Sequence, residues 1–219
     1  MKVFGGSARL LGLVWTVFAA SAYASTITVN NFSFETLPGG GLPNSCGTNC
    51  LYSVANIPGW TVVGTDAGQL QPGPPTNTNY FNSVPDGITV AYTNDGSISQ
   101  TVAPVVQLGA TYTLTVAVGV RKDTPDPGNE ALVINGNSYF ATGTLPTPGN
   151  WATFTSTYVG LAADVGSPIT IQLASPSGQG DFDNVQLNFA PAPAPEPSSG
   201  VLLGLGAVAL FGIVRRKRA

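Results

Sequence analysis

Apolar and polar residues that alternate with a period of two dominate the middle of the chain. The alternation is strict from Thr111 to Val118, where Tyr, Leu and Val fall on one side and Thr and Ala on the other. This pattern predicts a strand with one buried face. Similar stretches predict further strands at Thr26–Glu35, Thr61–Val63, Ile88–Thr93, Ser97–Val102, Ala131–Ile134, Thr153–Val159, Ile169–Leu173 and Asp183–Phe189.

Composition agrees with an all-β chain. Gly (27) and Pro (18) are abundant, whereas a hydrophobic fraction of 43% is too high for a disordered protein. Clusters of Gly, Pro, Asn and Asp separate the predicted strands, and no sustained helical period occurs between residues 25 and 194. The sequence therefore predicts a single antiparallel β-sandwich, jelly-roll-like, over residues 25–189. The Gly- and Pro-rich segment Thr36–Tyr80 is predicted to form loops at its rim.

The N-terminal residues have the pattern of an export signal. Lys2 and Arg9 are followed by an apolar run from Leu10 to Ala20 and then by Ala22-Tyr23-Ala24. A basic head, an apolar stretch and a small-x-small site predict a secretory signal peptide over residues 1–24, cut after Ala24 by signal peptidase. The alternative is a membrane anchor, for which the apolar run is short.

The C-terminal residues contain a motif, an apolar stretch and a basic end, in that order. A Pro- and Ala-rich linker at residues 190–197 ends in Pro195-Glu196-Pro197, and an apolar run extends from Val201 to Val214. Arg and Lys then occupy residues 215–218. We expect residues 198–219 to form a short transmembrane helix whose basic tail stays on the cytoplasmic side.

This order resembles the PEP-CTERM sorting signal of Gram-negative bacteria. The resemblance implies an exported precursor that is anchored in the inner membrane and cut by an exosortase at Pro195, Glu196 and Pro197. It also implies that the body reaches the cell surface or the extracellular matrix. An ordinary single-span anchor is the alternative.

Charge and missing residue types narrow the possible chemistry. Between residues 25 and 194, ten acidic residues stand against two basic ones, a net charge of −8. Such a body repels a phosphate backbone, which disfavours nucleic-acid binding and makes calcium the natural electrostatic partner. The chain has no histidine, which removes Ser-His-Asp and Cys-His catalysis and the usual zinc sites. In an exported chain, Cys46 and Cys50 predict a disulfide loop rather than a metal or redox site.

A metal site is predicted from the last strand. Period-two alternation places Asp183 on the same face as Val185 and Leu187, and so towards the interior of the sandwich. A carboxylate in that position is costly unless it is paired or binds a metal. Glu35 ends the predicted first strand, and first and last strands often lie close together in sandwiches. We therefore expect a structural calcium ion on Glu35, Asp183 and backbone carbonyls, the alternative being a solvated Asp183 at a frayed strand end.

Several short motifs resemble those of the galactose-binding-like carbohydrate-binding sandwiches, including the Stig cyclases built on that fold. They are Val29–Glu35, Ile57–Trp60, Val84–Gly87, Val90–Tyr92, Ser99–Thr101 and Asp181–Val185. The resemblance implies a structural calcium on Glu35 and Asp183. For a Stig-type cyclase it implies Asp181 as the acid of a pocket and Tyr92 as one of its aromatic residues.

Three functions are compatible with these observations. The leading hypothesis is a non-catalytic surface protein that binds saccharide, such as the producer's exopolysaccharide, through aromatic faces and planar polar groups. Its candidate residues are Trp60, Tyr80, Phe81, Tyr92, Gln100 and Trp151. A purely structural envelope or biofilm protein is the second hypothesis, and a Stig-type small-molecule cyclase is the third. Glycosidase action by Asp181 and Asp183 is disfavoured, because Asp183 is expected to be a calcium ligand.

Overall fold

Eleven strands and one 3₁₀ turn form the regular structure of the described residues. The computed structural model describes residues 24–73, 80–123 and 128–193, apart from the side chains of residues 176 and 177. The strands are β1 (Ser25–Ile27), β2 (Asn44–Gly47), β3 (Cys50–Tyr52), β4 (Thr61–Val63), β5 (Asp66–Gln71), β6 (Val90–Val105), β7 (Thr111–Val120), β8 (Asn129–Ile134), β9 (Asn137–Phe140), β10 (Asn150–Val159) and β11 (Pro168–Ala190), and the 3₁₀ turn is Ala162–Asp164.

Both predicted targeting segments fall largely outside this description. The signal peptide up to residue 23, the Pro195-Glu196-Pro197 motif and the helix expected at 198–219 are not among the described residues. Within the described ranges, the structure has no helix of sufficient length and apolar character to cross a bilayer.

The strands pair antiparallel in two layers that share their longest strands. Sheet 1 has the order β10, β7, the second half of β11, the first half of β6, β5, β3 and β2. Sheet 2 has the order β9, β8, the first half of β11, the second half of β6, and β4. Strand β1 pairs with the end of β11. The predicted all-β sandwich is thereby confirmed.

Strands β6 and β11 each cross from one sheet to the other. In β6 the crossing lies at Asp95, which has a positive φ of 49°, and at Gly96. In β11 the register shifts between Ser175 and Gln179. The predicted strands Ile88–Thr93 and Ser97–Val102 are therefore one strand, because Asn94-Asp95-Gly96 bends it while the pairing with β11 continues on both sides.

Other predicted boundaries were wrong. The first strand ends at Ile27 rather than Glu35, because Asn31 and Phe34 adopt positive φ values and turn the chain. The segment expected to be a rim of loops contains β2, β3 and β5 in addition to the predicted strand β4. Strand β5 was missed because its sequence, Asp-Ala-Gly-Gln-Leu-Gln, has few strand-forming residues.

The core lies between the two sheets and is largely aliphatic. Alternate residues of β7 and β8 face it, together with residues from the halves of β6 and β11 that belong to sheet 2. Each such Val, Leu or Ile side chain contributes roughly 1.5–3 kcal/mol by leaving water. They include Leu114, Val116, Val118, Leu132, Ile134, Ile98, Ile169, Ile171 and Leu173.

Candidate functional site

A cleft of about 260 Å³ opens on the outer face of sheet 1. Cross-strand partners share a face of a sheet, and the register places Asp66, Asn94 and Gln179 in one row across β5, β6 and β11. The next row contains Tyr92 and Asp181. We call this site the tyrosine cleft, and its lining residues are Ser45, Cys46, Tyr52, Asp66, Leu70, Tyr80, Tyr92, Asn94, Arg121 and Gln179.

Tyrosine rings form the aromatic part of the cleft. The rings of Tyr52 and Tyr92 meet edge to face with centroids 6.3 Å apart. The Tyr92 hydroxyl donates to the Ser53 carbonyl at 3.0 Å and approaches a carboxylate oxygen of Asp66 at 3.3 Å. Burial, reinforced by the charge of Asp66, raises the pKa of Tyr92 well above its usual value, so the phenol stays protonated. Tyr92 therefore supplies a fixed ring and a hydroxyl that is already engaged.

Arg121 anchors one side of the cleft. Its guanidinium carbon lies 4.0 Å from the centroid of the Tyr80 ring. Its Nε and Nη2 donate to the two carboxylate oxygens of Asp123 at 2.9 and 2.6 Å, and Nη1 donates to Gln179 Oε1 at 2.5 Å. We call Arg121, Tyr80, Asp123 and Gln179 the arginine cluster. Each guanidinium nitrogen thus donates a hydrogen bond within the protein.

Asp181 lies beneath the cleft and is not one of its lining residues. It is fully buried, and Gln179 Nε2 donates to its Oδ1 at 3.0 Å. The register pairs it with Tyr92, so the structure does bring together the two residues that the cyclase resemblance singled out. Gln179, which lines the cleft, is hydrogen-bonded to the buried carboxyl.

The predicted disulfide is confirmed and forms part of the cleft wall. Cys46 and Cys50 are bonded across the β2–β3 hairpin, with Cα atoms 5.0 Å apart. Cys46 lines the cleft, and its carbonyl lies 3.5 Å from the Tyr80 hydroxyl. The bond therefore ties down the part of the wall that the β2–β3 hairpin forms.

A second charged group, the carboxylate cluster of Glu35, Asp86 and Asp183, also lies at the outer face of sheet 1. Glu35 Oε1 accepts hydrogen bonds from the backbone N–H groups of Ile88 and Thr89 at 2.9 and 2.7 Å. Asp183 accepts from the N–H of Asp86 at 2.9 Å and from that of Asn184 at 2.7 Å. Burial, with the charges of Asp86 and Glu35 adding to it, raises the pKa of Asp183 to about 7.

Asp183 does not face the interior that the sequence pattern predicted. Its cross-strand partner is Ala117, whereas Leu187 pairs with Leu114, and these partners lie on opposite faces of β7. A bulge between Asp183 and Gln186, with Asn184 at a φ of 46°, adds one residue and reverses the alternation. Asp183 is nevertheless fully buried, as expected.

The donors of the carboxylate cluster suit a hard cation in type. Glu35 lies close enough to Asp183 for its charge to raise the pKa of Asp183. Neither carboxylate forms an ion pair with Lys or Arg within the described part of the chain. Oxygen donors of this kind are what Ca²⁺ prefers. In residues 24–73, 80–123 and 128–193, however, no group of three or more His, Cys, Asp or Glu is arranged to hold a metal ion. The Glu35 and Asp183 oxygens point at backbone N–H groups instead.

Two predicted ligand-binding residues lie away from the cleft. Trp60 is 8% exposed and donates from Nε1 to the Asn30 carbonyl at 3.0 Å. The Gln100 amide bonds both the N–H and the carbonyl of Asn30, and also the Gly59 carbonyl. Together they hold the turn after β1 against the Ile57–Trp60 segment.

The remaining predicted aromatic residues lie on the outer face of sheet 1. Trp151 packs on Phe81 with centroids 4.6 Å apart and donates to the Ser83 carbonyl at 2.8 Å. Phe81 is buried, whereas Tyr80 lines the cleft. Of the predicted aromatic ligands, Tyr80 and Tyr92 therefore form the cleft, and Trp151 supports the same face.

Four polar residues of the cleft were missed from sequence. Asp66, Asn94, Arg121 and Gln179 come from separate segments, and only the strand register brings them together. One signal was available, because Arg121 directly follows the strictly alternating strand β7 and is the only arginine between residues 25 and 194.

Glu130 was also missed, and it faces the core. It pairs with Leu173 in the register and is 2% exposed. Its Oε2 has no hydrogen-bond partner among the described residues, and burial raises its pKa to about 8.

The sequence was compared with models of known protein families. The family model described as HpiC1 cyclase matches residues 25–188. The chain belongs to the HpiC1-like family. A second model, the PEP-CTERM protein-sorting motif, matches residues 193–218, which confirms the predicted sorting signal of an exported protein. No curated protein matches the chain.

Solved structures similar to this HpiC1-like chain include carbohydrate-binding modules. The CBM22-1 xylan-binding domain of Paenibacillus barcinonensis Xyn10C is 13% identical, with 79% of this chain and 99% of that chain covered at a TM-score of 0.44. A CBM4 structure is 23% identical, with coverage of 73% and 98% and a TM-score of 0.41. CBM35 of Cellvibrio japonicus Abf62 is 22% identical, with coverage of 65% and 94% and a TM-score of 0.36.

Proposed function

We propose that this protein is a non-catalytic, exported surface protein whose HpiC1-like body binds saccharide in the tyrosine cleft. The observation that carries the proposal is the lining of the cleft, where Tyr52, Tyr80 and Tyr92 stand beside Asp66, Asn94, Arg121 and Gln179. Sugar rings stack on aromatic faces, and their hydroxyls bond planar polar groups. Sites that fix a ligand by a few placed polar groups are typical of small-molecule recognition.

Affinity electrophoresis tests this proposal. The full chain, kept in solution by a detergent without a sugar headgroup, would migrate through gels that contain the producer's exopolysaccharide. We expect retardation that Tyr80→Ala abolishes, because the substitution removes a ring from the cleft wall. Phe140→Ala is the control, since Phe140 is 62% exposed on sheet 2, away from the cleft. The same mobility with and without polysaccharide would favour a purely structural envelope or biofilm protein.

We further propose that Glu35 and Asp183 hold a structural calcium ion. Support comes from the burial of Asp183, the effect of Glu35 on the pKa of Asp183 and the oxygen-only donor set. Calcium would hold the 86–89 loop on sheet 1 by neutralising the carboxylates that the loop already contacts. Calcium titration followed by circular dichroism and calorimetry, with Mg²⁺ as the control ion, tests this site.

We also propose the processing steps that the ends of the chain suggest. Signal peptidase would cut after Ala24, and an exosortase would cut at Pro195, Glu196 and Pro197 before the body reaches the surface of a Gram-negative cell. Support comes from the sorting-motif match over residues 193–218. Mass spectrometry of the surface-exposed protein reads both new ends, and a C-terminus at residue 219 would contradict exosortase cutting.

A cyclase of the Stig type is the second candidate, favoured by the family match and by the pairing of Asp181 with Tyr92. In this role Asp181 would donate a proton to a prenylated indole, and Gln179 would have to leave the buried carboxyl to let substrate approach. The polar lining of the cleft favours saccharide over such an apolar substrate. Conversion of a prenylated indole by the wild type but not by Asp181→Asn would make the cyclase the better proposal.

A further inference from the structure

The charged groups of the tyrosine cleft are unequal in number. Asp66 lines the cleft, Asp123 bonds Arg121, and Asp181 lies directly below. Against these three carboxyl groups stands one guanidinium. Because the body also carries a net charge of −8 between residues 25 and 194, the potential at this face disfavours anions.

The one guanidinium is largely engaged by the protein itself. Nε and Nη2 of Arg121 donate to Asp123, Nη1 donates to Gln179, and one face of the group lies over the ring of Tyr80. Three of the five guanidinium N–H bonds are used in this way, so a ligand carboxylate or sulfate would compete with Asp123 and Gln179 for the group. The arginine cluster therefore works as a wall of the cleft and as a support for Tyr80.

Asp66, in contrast, is exposed at the start of β5. It accepts a hydrogen bond from Asn94 Nδ2 at 2.9 Å, which fixes its orientation, and the Tyr92 hydroxyl, which donates to the Ser53 carbonyl, lies 3.3 Å away. A carboxylate has about four lone-pair sites, so it retains capacity to accept bonds from ligand hydroxyls. A hydroxyl-rich, uncharged ligand satisfies this group, whereas an anionic ligand is repelled by it.

We infer that the tyrosine cleft selects uncharged glycans and rejects glycans that carry uronate or sulfate groups, with Asp66 as the residue that sets this selectivity. The inference rests on the proposed saccharide binding. It specifies the class of ligand and assigns the arginine cluster a supporting role.

The test compares neutral and anionic polysaccharides with one pair of charge-matched variants. The full chain would be run through gels that contain neutral xyloglucan, mannan or galactan, or the polyuronates alginate and polygalacturonate, at two salt concentrations. Asp66→Asn and Asp95→Asn each remove one negative charge, but Asp95 lies at the bend of β6, outside the cleft lining, and an Asn suits its positive φ. A difference between the two variants therefore reports on the cleft and not on net charge.

We expect the wild type to bind at least one neutral polysaccharide and neither polyuronate. Asp66→Asn should bind that polysaccharide about tenfold more weakly, because a charge-assisted hydrogen bond becomes a neutral one, and should discriminate less against polyuronate. Asp95→Asn should behave like the wild type. Polyuronate binding as strong as neutral binding, or equal behaviour of the two variants, would overturn the inference and leave saccharide binding intact. Retardation by no polysaccharide would overturn the proposed function and this inference together.

Discussion

The arginine cluster and the carboxylate cluster lie at the same outer face of sheet 1 but balance their charge differently. In the first, Arg121 is paired with Asp123, so its positive charge is neutralised by another side chain of the protein. In the second, Glu35 and Asp183 accept from backbone N–H groups and from the Thr89 hydroxyl, none of them charged, and the two carboxylates repel each other. N–H dipoles orient these carboxylates without neutralising them. The comparison indicates that the arginine cluster is complete as it stands, whereas the carboxylate cluster needs a proton or a cation.

The largest expected effect is that of calcium on the carboxylate cluster. At a calcium concentration one hundred times Kd, binding should stabilise the fold by about 2.7 kcal/mol, which is an increase in Tm of roughly 5–10 °C for a domain of this size. Differential scanning calorimetry with calcium and with chelator measures the shift. Asp183→Asn should abolish it. An equal shift in that variant would show that calcium binds without Asp183.

The pH dependence of stability in chelator should be of a similar order. A carboxyl whose pKa rises from 3.8 to about 7 on folding keeps its proton in the folded state while the unfolded state loses it. Stability therefore falls as pH rises from about 4 to 7 and levels off above, by at most about 1.4 kcal/mol for each pH unit. Urea unfolding of wild type and Asp183→Asn should diverge in this window, with the variant less sensitive to pH. Their difference cancels the similar contribution of Glu130, and parallel curves would contradict the raised pKa of Asp183.

A smaller loss is expected from Gly87→Ala. Gly87 has a φ of 67°, and a Cβ there would lie 2.3 Å from Glu35 Oε1. Gly136→Ala is the matched control, because Gly136 has a φ of 78° with nothing within 4 Å of its added Cβ. Both variants bear the cost of positive φ, about 1 kcal/mol, and Gly87→Ala should lose about 1–2 kcal/mol more and bind calcium more weakly. Equal losses in urea unfolding would show that Glu35 moves aside freely.

The smallest effect should come from Arg121→Met. It removes an ion pair whose side chains are 12% and 46% exposed, so solvent screening limits the expected loss to about 1 kcal/mol. Calcium stabilisation should be unchanged, since the arginine cluster shares no hydrogen bond with the carboxylate cluster in the described structure. A reduced calcium shift in this variant would mean that the two clusters are coupled.

The fold was largely predictable, because burial of one face imposes a period of two on β7, β8 and β10. The bulge at Asn184 was not, because Asn tolerates a positive φ but its presence does not show that the chain adopts one at that position. That single residue reverses the direction of Asp183. The arginine cluster could not be predicted either, because its members come from the residues after β7, from β11 and from the segment before β6, and only the folded chain brings these segments together. The disulfide could be predicted because its two cysteines are only four residues apart.

Strand β11 has a mechanical consequence for a protein held at a cell surface. It is the last strand, it ends at Ala190, and it pairs with β1, β6, β7 and β8. A pulling force transmitted through the residues after Ala190 reaches this strand first and is shared among four neighbours in both sheets. Extraction of β11 requires its hydrogen bonds to both layers to break, so the most extensively paired strand is also the one nearest the tether.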